Sequence, residues 1–344
     1  MRGIINRRSF LTVLGGATAL PLVARAQGQS LPVIGFLSSA SPLEFTHLTA
    51  AFSEGLQAEG FDNGRNVIVE MHWANGKYEN LPALAAELAR RKVTLITATG
   101  GVVSAQAAAK ATTTIPIVFV VGSDPVNMGL VASINKPGGN ATGVSIITTE
   151  LAEKRMQLLK EVVPAMQTPT SRVQVAGAAM PTVALLVNPG SITTDSEIDQ
   201  SRAAAGNLRL NFVTFNATDE SELRLAFERA GRQGVSAMLI SADSFFTSRR
   251  SQLVALAAQH TLPTMYPLSA YVEAGGLMSY GTELPWAYRQ AGVYAGRILK
   301  GVKTSELPVM MPSVFDLVIN TKTAKALGIT VSPELLARAN RVLE

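Results

Sequence analysis

Cysteine is absent from the 344 residues, so neither a disulfide framework nor a thiolate metal site can form. Histidine is nearly as scarce, with His47, His72 and His260 too scattered to converge on a transition metal. His47 and His260 fall on helical stretches away from strand ends, and His72, beside Trp73, has no acid partner at a readable spacing. Aromatic residues make up 6% of the chain and charged residues 16%, against 47% apolar. That balance describes a well-buried globular protein and excludes disorder. Catalytic motifs are missing as well: no G-x-x-x-x-G-K-[ST], no G-x-G-x-x-G after a strand, no H-E-x-x-H. The stretch Gly143-Val144-Ser145-Ile146-Ile147 approaches a nucleophile elbow but lacks its final glycine. These absences argue against an enzyme and imply no cofactor.

What is present begins with an N-terminal signature. Arg2, Arg7 and Arg8 precede an apolar run from Phe10 to Val23, and Ala24-Arg25-Ala26 has the form of a cleavage site. This layout predicts a bacterial export signal over residues 1–26, its apolar core too short to span a membrane permanently. NRRSFL, Asn6 to Leu11, resembles a twin-arginine motif, departing from it at Asn6 and Thr12. Either export route places the mature protein in the periplasm. Residues 1–26 carry four arginines and no acid, which leaves 26 of the 30 basic residues against 25 acidic ones. The isoelectric point of about 9.5 thus comes mostly from the signal. With no cluster of five Lys or Arg elsewhere, nucleic acid is not an expected partner.

The chain is organised around Val93 to Pro125, VTLITATGGVVSAQAAAKATTTIPIVFVVGSDP. Apolar runs at 93–99 and 115–121 flank an Ala-rich helix at 102–111, one βαβ unit of a parallel sheet. Strand and helix patterns alternate before it and again from Val183 to Tyr266, and the two halves share even a strand-initial X-Pro, Ile115-Pro116 and Leu262-Pro263. The fold class predicted is α/β, two Rossmann-like lobes and not one large sheet. Lobe 1 is expected over 31–145 plus 281–306, and lobe 2 over 146–280 plus 307–344. The third crossing is placed near Leu307-Pro308, and three crossings form a hinge that closes around a cleft.

In open α/β sheets ligands bind beyond the carboxyl ends of the strands. Those ends nominate Ser38, Ser39, Thr99, Gly100, Ser104, Ser123 and Asp124 in the first half. In the second they nominate Asn188, Asp243, Ser244, Phe245 and Tyr266, with Tyr280 on a later extended piece. Hydroxyls and free amides at a helix start suit a carboxylate. Asp124 or Asp243 can pair with an ammonium, and the aromatic residues can cover an apolar group. Of Phe245 and Phe246, one is expected buried and one at the cleft. The same Ser, Thr and Asp residues also serve as ordinary helix caps and turn formers.

LPVIGFLSSASP, LPALAAELARRKVTLITATGG, IPIVFVVGSDPVNMGLV, NKPGGNATGVS, SADSFFTSRRSQLVALAAQH, GGLMSYG, YRQAGVYAGRILKG and LVINTKTAKALGI together resemble ABC-transporter substrate-binding proteins of the tryptophan/tyrosine type. The resemblance covers nearly all of 31–344. It implies a type I periplasmic-binding-protein fold, capture of a small solute such as an amino acid, and delivery to an inner-membrane ABC permease without catalysis; the protein is expected to be a monomer. It also implies that Ser38, Ser39, Thr99, Gly100, Ser104, Ser123, Asp124, Asp243 and Phe245 lie in cleft-lining loops. Gln167 to Met180 is longer than the family's usual connection. Two other readings share the pattern: a ligand-sensing module that signals to a membrane kinase or regulator, and a cleft enzyme, which requires His72 and Asp124 to meet.

Overall fold

The computed structural model describes residues 30–167 and 180–344. The expected export segment lies outside the described residues, as does the interior of the long Gln167–Met180 connection. Among the described residues no helix is long and apolar enough to cross a membrane.

Five strands build the first sheet: β1 (Val33–Ser38), β2 (Ile68–Trp73), β3 (Leu95–Thr99), β4 (Ile117–Val121) and β5 (Ala141–Ser145). They run in the order β2-β1-β3-β4-β5, every pairing parallel. The helices between them are α1 (Thr46–Ala58), α2 (Leu81–Arg90) and α3 (Val102–Ala111). β3 and β4 are buried at every position, as continuous apolar runs require when helices cover both faces of a parallel sheet. β2, at the edge, mixes partly buried and exposed residues and has none fully buried.

The second half repeats the plan. α4 (Ala152–Val162) leads to β6 (Thr182–Val187), α5 (Thr194–Asn207), β7 (Asn211–Asn216), α6 (Glu220–Arg232) and β8 (Ala237–Ile240). Then come α7 (Ser244–Ser248), α8 (Arg250–Gln259), β9 (Thr264–Tyr266), α9 (Ser269–Glu273), β10 (Met278–Gly281), α10 (Leu284–Leu299), β11 (Asp316–Asn320), α11 (Thr321–Ala326), α12 (Pro333–Arg338) and β12 (Arg341–Leu343). The sheet order is β12-β11-β10-β9-β8-β6-β7, with β10 and β11 antiparallel and the rest parallel. Asp219 caps α6 as its sequence position suggests, its carboxylate accepting from the Ser221 and Glu222 amides.

Pro32–Glu344 forms one compact unit that contains both sheets. α10 returns to the first sheet and packs along α1. A Cβ at Gly55 would strike the Arg289 carbonyl, and one at Gly292 the Phe52 carbonyl, so the two glycines let the helix backbones touch. That approach buries Leu48, Phe52 and Leu56 against Ala287, Ala291 and Tyr294. Fully burying a Leu or Phe side chain contributes about 1.5–3 kcal/mol, which makes this seam a main support of the first lobe.

The chain stays on the first sheet beyond Leu307-Pro308: Met310 donates its amide to the Gly143 carbonyl and bridges to Val144. The third crossing therefore lies after Met310, a few residues later than the sequence suggests. The helical stretch that follows β8 is broken in two. α7 starts at Ser244 because the Asp243 side chain accepts from the Phe245 amide, and Arg249 separates α7 from α8.

Candidate functional site

The loops after β1, β3 and β4 face those after β6 and β8. On the first lobe, the Ser39 hydroxyl donates to the Gly100 carbonyl at 2.6 Å. Gly100 has φ +78°, and a Cβ there would meet Ser39 Oγ at 2.5 Å, so this turn admits only glycine. Ser39 Oγ also lies 2.6 Å from Ser244 Oγ of the second lobe. Beside it the Tyr78 hydroxyl donates to Asp243 Oδ2 at 2.7 Å and sits 3.0 Å from Ser244 Oγ. Asp243 Oδ1 accepts from the Asn188 side-chain amide at 3.1 Å and the Phe245 backbone amide at 2.9 Å. Burial pushes the Asp243 carboxyl above the ordinary range while the Tyr78 and Asn188 hydrogen bonds pull it back. Burial, then the neighbouring Asp243 charge, pushes the Tyr78 phenol well up. The pair is a phenol donating to a buried carboxyl group.

Around this cross-lobe network lies a cavity in two adjoining parts that share Gly100, Gly122, Asp243 and Ser244. The apolar part is walled by Phe45, Val120, Ile146, Leu268, Leu284 and Tyr288, and holds about 490 Å³ of space between atoms, open solvent included. The Tyr288 hydroxyl faces Thr99 and Gly100, and burial pushes it up to about 12. The polar part, about 320 Å³ on the same measure, is bordered by Tyr78, Val102, Ser123, Thr149, Ser191 and Thr193. α3 and α5 both start here, and neither has a side-chain cap on its first-turn amides. Free amides at a helix start hold an anionic oxygen. The arrangement suits a small molecule with an apolar body and an anionic end.

Of the residues nominated from sequence, Ser39, Gly100, Ser123, Asp243 and Ser244 come together at this cavity. Ser38 is buried one residue back, its hydroxyl accepting from the Ala40 amide at 3.3 Å. Thr99 and Ser104 are fully buried, their hydroxyls without a hydrogen-bond partner. Asp124 turns its carboxylate to the Val126 and Asn127 amides, at 2.8 and 3.4 Å, and closes its own turn.

Three aromatic nominees lie elsewhere. Phe245 and Phe246 are both buried, and Phe245 stacks under the Arg249 guanidinium at 4.1 Å on the rim near Asn75 and Gly76. Neither lines the central cavity, because the short α7 turns both rings into its own core. Tyr266 is wholly buried and stacks on Tyr271 at 4.8 Å, since strand alternation sends it to the sheet face covered by α8 and α9. Tyr280 packs on Phe315 at 6.0 Å.

His72 does have an acid within range: Glu70, two residues back on the same strand face, places Oε2 3.9 Å from Nε2. Asp124, held in its own turn, is not that partner. Among the described residues no cluster of His, Cys, Asp and Glu could hold a metal ion.

Sequence reasoning misses Tyr78 and Tyr288. Tyr78 follows the carboxyl end of β2 and is within reach of the strand-end rule, whereas Tyr288 sits inside a helix that arrives from far along the chain. It also misses a buried charged pair behind the site. Arg155 on α4 and Glu197 on α5 are about 1% and 3% exposed. Arg155 Nε donates to the Tyr280 carbonyl at 2.8 Å, while its Nη2 has no partner. Burial lowers Arg155 to about 10 and raises Glu197 to about 7, with each charge and, for Glu197, the Ala242 amide opposing the shift.

Comparison with known proteins gives a consistent picture. The chain is 24% identical over 276 residues to a tyrosine-binding protein of Clostridioides difficile, covering 80% of this chain and 75% of the relative. It superposes with a TM-score of 0.79 and 25% identity on a conserved domain protein from Vibrio cholerae, over 91% of this chain and all of the other. An ABC domain from Streptococcus pneumonia in complex with L-Trp gives 0.78 at 24% identity, with 91% and 100% covered. A ligand-free, open substrate-binding protein from Clostridium difficile gives 0.61 at 24% identity, with 91% and 99% covered. The family described as ABC transporter substrate binding protein matches residues 32–343, and the chain belongs to that family.

Proposed function

We propose that the protein is the exported receptor of an ABC importer: a periplasmic monomer that closes its two lobes on a small organic carboxylate and presents it to an inner-membrane permease without chemical change. The ligand has an apolar body of aromatic size, as an amino acid or a related acid has. One observation carries this reading. The apolar chamber and the pocket at the uncapped start of α3 adjoin through Gly100, Gly122, Asp243 and Ser244, with walls from both lobes, so both lobes touch the ligand only when closed. A ligand that contacts both lobes only in one conformation shifts the population to that conformation.

The lobes are held together by Ser39–Ser244, by Tyr78–Asp243 and, at the rim, by Arg250 on Glu44 at 2.6 Å. The greater likeness in shape to the L-Trp complex than to the ligand-free, open structure supports reading this as the closed form.

Thermal-shift screening of protein shown to be ligand-free, against amino acids and aromatic acids, tests the reading. At a hundredfold excess over Kd a true ligand adds about 2.7 kcal/mol, which raises Tm by several degrees. A broad panel with no shift would overturn it.

A further inference from the structure

We propose that the second lobe carries a separate pocket, at the end of its sheet away from the cleft, for a small neutral alcohol or phenol anchored by Tyr266. β8, β9 and β10 run parallel, so the loops that lead into them gather opposite the loops that border the cleft. Leu262 precedes β9 and Leu277 precedes β10, and α11 arrives at the same end because β11 runs antiparallel to β10. Between α8 and α11 these elements enclose about 440 Å³ of space between atoms, open solvent included, close to the 490 Å³ of the cleft's apolar chamber. Its walls are Val254, Ala257, Leu262, Leu277 and Leu327, and it shares no residue with either part of the cleft. Among the described residues that border it, none carries a charge.

The polar side of this pocket is held in place. Tyr266 is fully buried and its ring is clamped: Tyr271 stacks on it at 4.8 Å, and a Cβ at Gly276 would meet Cε2 at 2.5 Å. The Tyr266 hydroxyl lies beside Thr264, two residues back on the same strand face and itself part of the wall. Tyr271 commits its own hydroxyl to Thr247 at 3.3 Å, whereas that of Tyr266 has no hydrogen-bond partner. Thr264 donates to the Leu262 carbonyl at 2.9 Å, which leaves its oxygen able only to accept. A donor without a partner thus sits beside an acceptor in an otherwise apolar, uncharged chamber. A ligand hydroxyl fits both, accepting from Tyr266 and donating to Thr264. A carboxylate or an ammonium would lose its water here with no opposite charge to meet.

Phenol is the probe and toluene its control, a ring of similar shape without the hydroxyl. In isothermal titration of the purified full-length protein, phenol is expected to bind with a Kd in the millimolar range or tighter, as suits so few atoms. Tyr266→Phe keeps the ring and removes the anchor. It should weaken phenol by about three- to tenfold, the strength of one hydrogen bond, and leave toluene within about twofold. Ala257→Leu fills the chamber and should abolish phenol binding, with Tm measured to confirm folding. If that variant does not fold, Ala326→Trp takes its place: Ala326 is an exposed residue at the pocket's edge, and enlarging it closes the mouth without entering the core.

Phenol that binds the folded filled variant as well as the parent sits elsewhere, and that result would overturn the pocket while leaving the receptor reading intact. No phenol binding in the millimolar range would do the same. Loss of phenol from the filled variant with no change in Tyr266→Phe would overturn the role given to Tyr266. The pocket stands whatever the cleft binds, so failure of the wider amino-acid screen leaves it untouched.

Discussion

The two lobes follow one plan but bury different things. The first packs five parallel strands under α1 and α10 through a glycine seam, and its buried polar residues are all hydroxyl-bearing, among them Ser39, Thr97, Thr99 and Ser104. The second lobe holds the three buried acidic or basic residues found among the described residues, Arg155, Glu197 and Asp243. Hydroxyls and free amides can wait for a ligand at modest cost, because each is neutral. A buried charge cannot wait, since an unpaired one is strongly destabilising. In the second lobe Asp243 is engaged by Asn188 and the Phe245 amide and Arg155 by the Tyr280 carbonyl, with Tyr78 of the first lobe completing the set at Asp243. Closure joins a lobe rich in hydroxyls and uncapped amides to a lobe whose Asp243 gains its Tyr78 partner across the cleft.

The contrast can be broken most forcefully at the glycine seam. Gly292→Val drives a branched side chain into the Phe52 carbonyl. It is expected to lower stability by about 3 kcal/mol or more in urea unfolding, at the upper end for overpacking. A loss below about 0.5 kcal/mol would show that the seam does not seat α10.

The buried charges of the second lobe give a smaller effect with its own pH signature. Glu197 has its carboxyl raised from 4.5 to about 7 by burial, so between those values the folded chain holds a proton that the unfolded chain has lost. Its contribution to stability is therefore full below about 4.5 and declines as pH rises to about 7. Glu197→Gln lacks this titration. Relative to the parent, the variant should gain on the order of 3 kcal/mol across that window and then level off. A gap that stays constant from pH 5 to pH 8 would mean that Glu197 is already ionised at the lower value.

The rim contact is expected to matter least. Arg250 and Glu44 meet at 2.6 Å with side chains about 20% and 32% exposed. Glu44→Gln should weaken ligand binding by about twofold at low salt, corresponding to roughly 0.5 kcal/mol, and by less at high salt. An effect of tenfold that ignores salt would promote this pair from rim to latch.

Much of the fold is legible in the residues alone. Continuous apolar runs at β3 and β4 announce buried parallel strands, and Asp219 announces the start of α6. Of the residues at strand ends, Ser39, Gly100, Ser123, Asp243 and Ser244 meet at one cavity, because backbone topology alone brings those loops together. Phe245, Tyr266 and Tyr280 turn away from it. Being near a strand end does not say which way a ring points, and that depends on what covers each face of the sheet. α9 and β12 escape sequence reasoning for a related reason: both are short, and tertiary packing holds them where local pattern is weak.

The sequence by itself determined an α/β chain of two parallel-sheet lobes, because hydrophobic period and turn chemistry are local properties of the chain. Only the tertiary structure decided that Asp243 is satisfied by Tyr78, that Arg155 faces Glu197, and that Tyr288 from α10 walls the cavity. Those pairings join residues far apart along the chain, and a charge's surroundings exist only once the lobes have packed.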